Sequence, residues 1–145
     1  MAKNTKVLKD KAVLVRYVAE MSTRGYLHEK LSEDILGAAM TVLNVLKPGL
    51  KEKAYENALV VELRKRGHAI EQQRIFEVLY DAVIVDSLIP DLIVDGKVIV
   101  DPKCVTDFTE THFAQMIGYL AITDLRLALL INFNESKLRW KRVIR

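Results

Sequence analysis

The spacing of apolar residues changes at residue 68, and that change does most to limit what the chain can fold into. Before it, Leu31, Ile35, Ala38, Ala39, Val42, Leu43 and Leu46 recur three or four apart, a helix stripe that Pro48-Gly49 ends. Tyr55, Ala58, Leu59 and Leu63 repeat the spacing as far as Gly67, behind Arg64, Lys65 and Arg66, cations suited to a helix C-terminus. An earlier set, Val13, Leu14, Tyr17, Val18 and Met21, predicts a helix over about 9–21 that Thr23-Arg24-Gly25 breaks. After residue 68 the period is two. Ile70–Tyr80, Ala82–Val85 and Leu88–Val94 read as strands, and Asp95-Gly96 is a hairpin turn into Val98-Ile99-Val100. Thr109–Thr123 reads as a helix with Phe113, Met116, Ile117 and Leu120 inward. Leu127–Phe133 suits a strand covered on both faces, and a last strand follows. The order is α-α-α-β-β-β-α-β-β, an α/β domain without internal repeat or linker.

Composition narrows the class. The 145 residues are 50% apolar and 28% charged, with six Gly and three Pro, which excludes collagen, low-complexity disorder and a disulfide scaffold. The longest charge-free stretches, Ile35–Leu46 and Thr111–Thr123, fall short of the ~20 residues that span a bilayer. The N-terminal residues carry scattered charges and lack the apolar run of a secretory signal, and a single cysteine makes no internal disulfide. A cytoplasmic protein with no membrane partner is the expectation. The net charge of +3 permits an anionic partner without demanding one. Lys3, Lys6, Lys9, Lys11 and Arg16 near the start and the basic run 137–145 around Trp140 form either a phosphate-tracking surface or ordinary solvated faces. In the second reading Leu138, Trp140, Val143 and Ile144 point to the core.

Several chemistries are absent. His28, His68 and His112 stand far apart and lack cysteines at zinc spacing, and no glycine-rich nucleotide loop occurs. Cys104 reads as a buried inert thiol, and His112 as a structural or exposed residue. The informative region is Pro90-Asp91 with Asp101-Pro102-Lys103. Each aspartate interrupts an apolar strand, and Lys103 shares a strand face with Asp101. Two converging carboxylates suit a hard cation such as Mg²⁺ or Mn²⁺, and a neighbouring lysine can orient water or balance phosphate charge. Register decides whether they converge. A two-residue turn pairs Val94 with Lys97 and sends Asp91 and Asp101 to opposite faces; a three-residue loop or bulge pairs Val94 with Val98 and sets them side by side. The chemistry therefore predicts the odd-length loop.

These residues resemble the PD-(D/E)xK signature of restriction-endonuclease-like, RecB-like nucleases. Gly49-Leu50-Lys51-Glu52-Lys53-Ala54-Tyr55 fits G-x-x-E-x-x-Y, and Gln115-Met116-Ile117-Gly118-Tyr119 fits Q-x-x-x-Y. With Leu130–Asn134, the set resembles the GxxExxY family over roughly 29–143. The resemblance implies a mixed central sheet flanked by helices, with residues 1–28 a helical extension and 29–145 one nuclease-like domain. It implies that Glu52, Asp91 and Asp101, with the Pro102 carbonyl, hold Mg²⁺ (Mn²⁺ as substitute), and that Lys103 is the catalytic lysine. Gln115 would join the catalytic set and, with Tyr55 and Tyr119, position substrate. The bland alternatives are a dipole-favoured Glu52 in a first helical turn and core tyrosines with satisfied hydroxyls.

Two departures from the family pattern stand out. Asp101-Pro102 replaces a glutamate and an apolar residue, and Lys47 stands where a glycine is usual. The leading expectation is a metal-dependent nuclease acting on DNA. The rivals are an inactive nuclease-fold module that binds nucleic acid or protein, and a homodimerisation subunit built on the N-terminal helix.

Overall fold

A computed structural model describes residues 26–145, so the helix expected over 9–21 and the basic residues before it lie outside the described residues. Helix α1 (Glu29–Leu46) and helix α2 (Glu52–Lys65) come first, and helix α3 (Glu110–Thr123) follows the fifth strand. The strands are β1 (Ile70–Gln72), β2 (Phe76–Tyr80), β3 (Val83–Leu88), β4 (Leu92–Val94), β5 (Val98–Lys103), β6 (Leu127–Asn132) and β7 (Arg139–Ile144). No helix among the described residues is long and apolar enough to cross a membrane.

Five strands make one mixed sheet in the order β1-β4-β5-β6-β7. Only β5 and β6 are parallel, joined through α3; the other neighbours are antiparallel. Alternation along the strands divides the apolar residues between two layers. Leu92, Val94, Val98, Val100, Leu129 and Ile131 meet α1 and α2, whereas Ile93, Ile99, Ala128 and Leu130 meet Met116 and Leu120 of α3. Strand β6 is buried along its whole length, as a strand covered on both faces must be.

Five strands precede α3 rather than three. The run 70–80 divides at Gln73, whose φ of 59° turns the chain out of the sheet, and 88–94 divides at Pro90, which has no N–H to give a ladder. Between these breaks β2 and β3 form a separate hairpin that exposes Leu79, Tyr80, Val83, Ile84 and Val85. The basic C-terminal run is a core strand: Leu138, Val143 and Ile144 are buried, and so is Arg142. The Arg142 guanidinium donates to Ser32 Oγ at 3.0 Å and to the Leu27 carbonyl at 2.9 Å, and lies over the Tyr26 ring. This cation ties β7 to the start of α1.

The β4–β5 connection has three residues, Asp95, Gly96 and Lys97, and pairs Val94 with Val98. Asp95 and Gly96 both take positive φ, and Lys97 N–H donates to the Val94 carbonyl at 2.9 Å. The Asp95 carboxylate accepts from Ala69 N–H at 2.8 Å and meets His68 Nδ1 at 2.7 Å, while His68 Nε2 meets Asp34 of α1. Hydrogen bonding to Asp34, against burial and with help from Asp95, raises the His68 pKa above its ordinary 6.5. Its stabilisation is therefore complete below about pH 6.5 and lost as pH rises through the folded value. His68→Gln should lower stability by about 1–2 kcal/mol at pH 6 and by less at pH 9, read from urea midpoints.

Lys47 has φ 64° and ψ 163°, a region that favours glycine and costs about 1–3 kcal/mol for other residues. Lys47→Gly should raise the urea midpoint by the equivalent of about 1 kcal/mol.

Candidate active site

The three-residue loop sets Leu92 opposite Val100, and one step beyond that pair Asp91 faces Asp101. Each carboxyl group acts on the other's titration. Asp101 is only 5% exposed, and burial, opposed by Lys103 and reinforced by Asp91, pushes its pKa up to about 7. Burial first and Glu56 second also raise Asp91. Both are raised because two adjacent, desolvated carboxylates cannot both ionise without cost. Lys103 Nζ lies 3.4 Å from Asp101 Oδ2 on the same strand face.

Pro102 fits its central strand because β4 ends at Leu92, opposite Val100. From Asp101 onward β5 is paired only with β6 and is an edge on its other side, where proline is tolerated. Asn132, buried on β6, accepts from Val105 N–H at 3.1 Å and donates to the Val105 carbonyl at 2.8 Å. It fixes the chain just past Lys103.

On α3, Gln115 Nε2 donates to the Tyr119 hydroxyl at 3.2 Å. Burial raises the Tyr119 pKa, and Asp101 and Asp91 add to the rise, so the phenol stays protonated within the field of both carboxylates. Asp91, Asp101, Lys103, Gln115 and Tyr119 thus come together at one end of the sheet.

The α2 residues are placed differently from expectation. Glu52 Oε2 accepts from Cys104 N–H at 2.9 Å, because the first turn of α2 crosses the end of β5. Glu56, one turn further along and only 3% exposed, is the α2 carboxylate that acts on Asp91. It accepts from Gln72 Nε2 at 2.8 Å and Gln73 Nε2 at 2.9 Å, and pairs with Lys53 at 3.0 Å. Gln73 also donates to Asp91 Oδ1 at 3.1 Å. Four-residue helix spacing puts Glu52 and Glu56 on one face, and that is the signal that could have found Glu56. Tyr55 is fully buried and stacked on Phe133. Its hydroxyl donates to the Lys47 carbonyl at 2.5 Å and accepts from Leu50 N–H at 3.1 Å, so it braces the strained turn and has no surface for substrate.

Cys104 and His112 are structural. Burial and then Glu52 raise the thiol's pKa, and His112 completes the Thr109 cap of α3 through its backbone N–H and Nδ1.

Among the described residues, no three His, Cys, Asp or Glu side chains are grouped to hold a metal ion. Asp91 and Asp101 nonetheless fit Mg²⁺, which takes one or two carboxylates and fills its other positions with water and phosphate oxygens. The upward shift of both aspartates marks excess negative charge that a hard cation would relieve.

A family model of the PD-(D/E)XK nuclease superfamily matches residues 29–143, and the chain belongs to that superfamily. Members of the superfamily are nucleases that generally use divalent metals. No curated protein and no solved structure gives a significant match.

A carboxyl whose folded pKa is raised loses stability as pH climbs from its unfolded value toward the folded one. Asp101→Asn removes that loss. In metal-free buffer the variant should be more stable than wild type at pH 8.5, by on the order of 2–4 kcal/mol, and no more stable at pH 4.5. Urea titrations at the two pH values check it.

Proposed function

We propose that the chain is a divalent-metal-dependent nuclease of the GxxExxY kind that hydrolyses phosphodiester bonds in DNA. The observation that carries this reading is the hairpin register that sets Asp91 opposite Asp101 with Lys103 beside them. Asp91, Asp101 and the Pro102 carbonyl would hold Mg²⁺, or Mn²⁺ in its place, and Glu56 takes the supporting role first expected of Glu52. The cation supplies Lewis-acid neutralisation of the scissile phosphate and eases deprotonation of water.

The chain's own residues do the rest. Asp101 would hold the cation as a carboxylate, since an opposite charge favours the ionised form. Lys103 orients the attacking water and balances the charge that develops on phosphate. Gln115 and Tyr119 present an amide and a phenol at the rim of the site and position the strand. Pro102 sits in an edge segment with its carbonyl intact, so the proline does not by itself argue for an inactive binding module.

Calorimetric titration of Mg²⁺ and Mn²⁺ into wild type and Asp91→Ala/Asp101→Ala, with cleavage of DNA and RNA substrates by the same samples, tests the reading. Metal binding should vanish in the double variant, and cleavage should require metal. Lys103→Ala should keep the fold and lose about 10²–10⁴ in cleavage rate. A Lys103→Ala protein that cuts as fast as wild type overturns the assignment.

A further inference from the structure

A cleft of about 630 Å³ runs between the β2–β3 hairpin and α3, with Gln115 and Tyr119 in its wall. We propose that this cleft is a subsite for an unpaired nucleobase of the substrate strand, so that the centre acts on single-stranded or frayed nucleic acid. The proposal rests on the nuclease reading and specifies its substrate.

The first ground is continuity. Gln115, Gly118, Tyr119 and Ile122 lie three or four apart on α3 and form one stripe along the cleft wall. Tyr119 belongs to that stripe and also feels the charges of Asp91, Asp101 and Lys103. A strand with its phosphate at the carboxylates would carry an adjacent base past Tyr119 into the cleft.

The second ground is the chemistry of the walls. Val78, Leu88 and Ile89 face Ile122 across the cleft, and Ile89 and Ile122 are each 38% exposed, apolar surface with nothing over it. Among the described residues, no lysine or arginine lines the space, and Asp86 is the one charged residue that does. A phosphate would find no cation there and one repelling carboxylate. A base suits it: apolar walls meet its faces, and Asp86, Ser87 and Gln115 can meet its polar edge. A paired base cannot enter, because its edge is occupied and its faces are stacked.

The third ground is Gly118. Glycine inside a helix costs about 0.5–1 kcal/mol relative to alanine. Here no left-handed φ calls for it, and a Cβ would meet nothing within 4 Å, so neither backbone conformation nor close packing accounts for it. What the missing side chain does is keep one wall of the cleft flat.

The test uses Lys103→Ala protein in Mg²⁺, so that strands stay intact, and fluorescence anisotropy with a labelled single strand of about twelve nucleotides, within the usual site size. The comparison ligands are an abasic strand of the same length and a blunt duplex. The single strand should bind about tenfold more tightly than the abasic strand. Adding Gly118→Phe, which fills the cleft from an open position, should remove that tenfold and leave abasic-strand binding and Mg²⁺ affinity unchanged. Adding Gly118→Ala should keep the preference and shows that the helix tolerates a side chain.

Equal binding of the single and abasic strands, or a preference that survives Gly118→Phe, overturns the subsite and leaves the cleft to another occupant such as an apolar peptide. In both cases Mg²⁺ binding and wild-type cleavage would still stand. A wild type that neither binds Mg²⁺ nor cleaves overturns the nuclease reading, and the subsite with it.

Discussion

The pairing of Val94 with Val98 is the constraint on which the rest of the molecule depends. A slip of one residue would put Asp91 opposite Val100 and turn the two aspartates to opposite faces of the sheet. It would also exchange the layers, sending Leu92 and Val94 toward α3 and Ile93 toward α1 and α2. The register is held from both directions. Apolar alternation fixes it through the core, and the turn fixes it locally through two positive-φ residues and the Asp95 carboxylate. His68 then carries the hold across to Asp34, so a helix at one end of the hairpin secures the geometry of carboxylates at the other.

That geometry opposes stability in the metal-free protein. Burial raises the pKa of both aspartates, and each acts on the other; Glu56 adds to the rise at Asp91, while Lys103 opposes it at Asp101. A chain selected only for stability would replace Asp101 with an apolar residue. Gln73 carries a related cost. It adopts a φ of 59°, and it bonds Asp91 through both its backbone N–H and its side chain. Backbone strain persists where surrounding contacts over-determine it, and here those contacts are to a proposed metal-binding residue.

The sequence was most readable where burial is one-sided and periodic. The stripe from Leu31 to Leu46 and the run Leu127–Phe133 became α1 and β6 with boundaries displaced by two residues at most. It was least readable where one residue's backbone decides the outcome. Nothing in the composition of 70–80 reveals that Gln73 turns left-handed and divides a strand, and Asp95-Gly96 is compatible with two loop lengths of opposite consequence. Of these, the requirement that Asp91 and Asp101 converge selects the loop that the structure has. Helical spacing identified the inward face of α2 but not which of Glu52 and Glu56 reaches Asp91, because that depends on where the helix crosses the sheet. The basic run 137–145 does not single out Arg142 as buried, because a buried cation depends on partners, Ser32 and Leu27, that are distant in sequence.

The motif residues divide by what their polar atoms hold. Glu52 and Tyr55 spend theirs on backbone groups, Cys104 N–H for one and Lys47 and Leu50 for the other. Such bonds replace the water that a buried peptide group would otherwise need, and breaking them exposes an unsatisfied backbone. Lys103, Gln115 and Tyr119 instead bond to other side chains, Lys103 to Asp101 and the other two to each other. Exchanging a side-chain partner for a phosphate, a water or a base edge leaves no backbone group unpaired, so these three can turn to a substrate at small cost. In the proposed site Glu52 and Tyr55 would therefore be scaffold, and Lys103 with the α3 pair Gln115 and Tyr119 would form its working face, on the side where the open cleft lies.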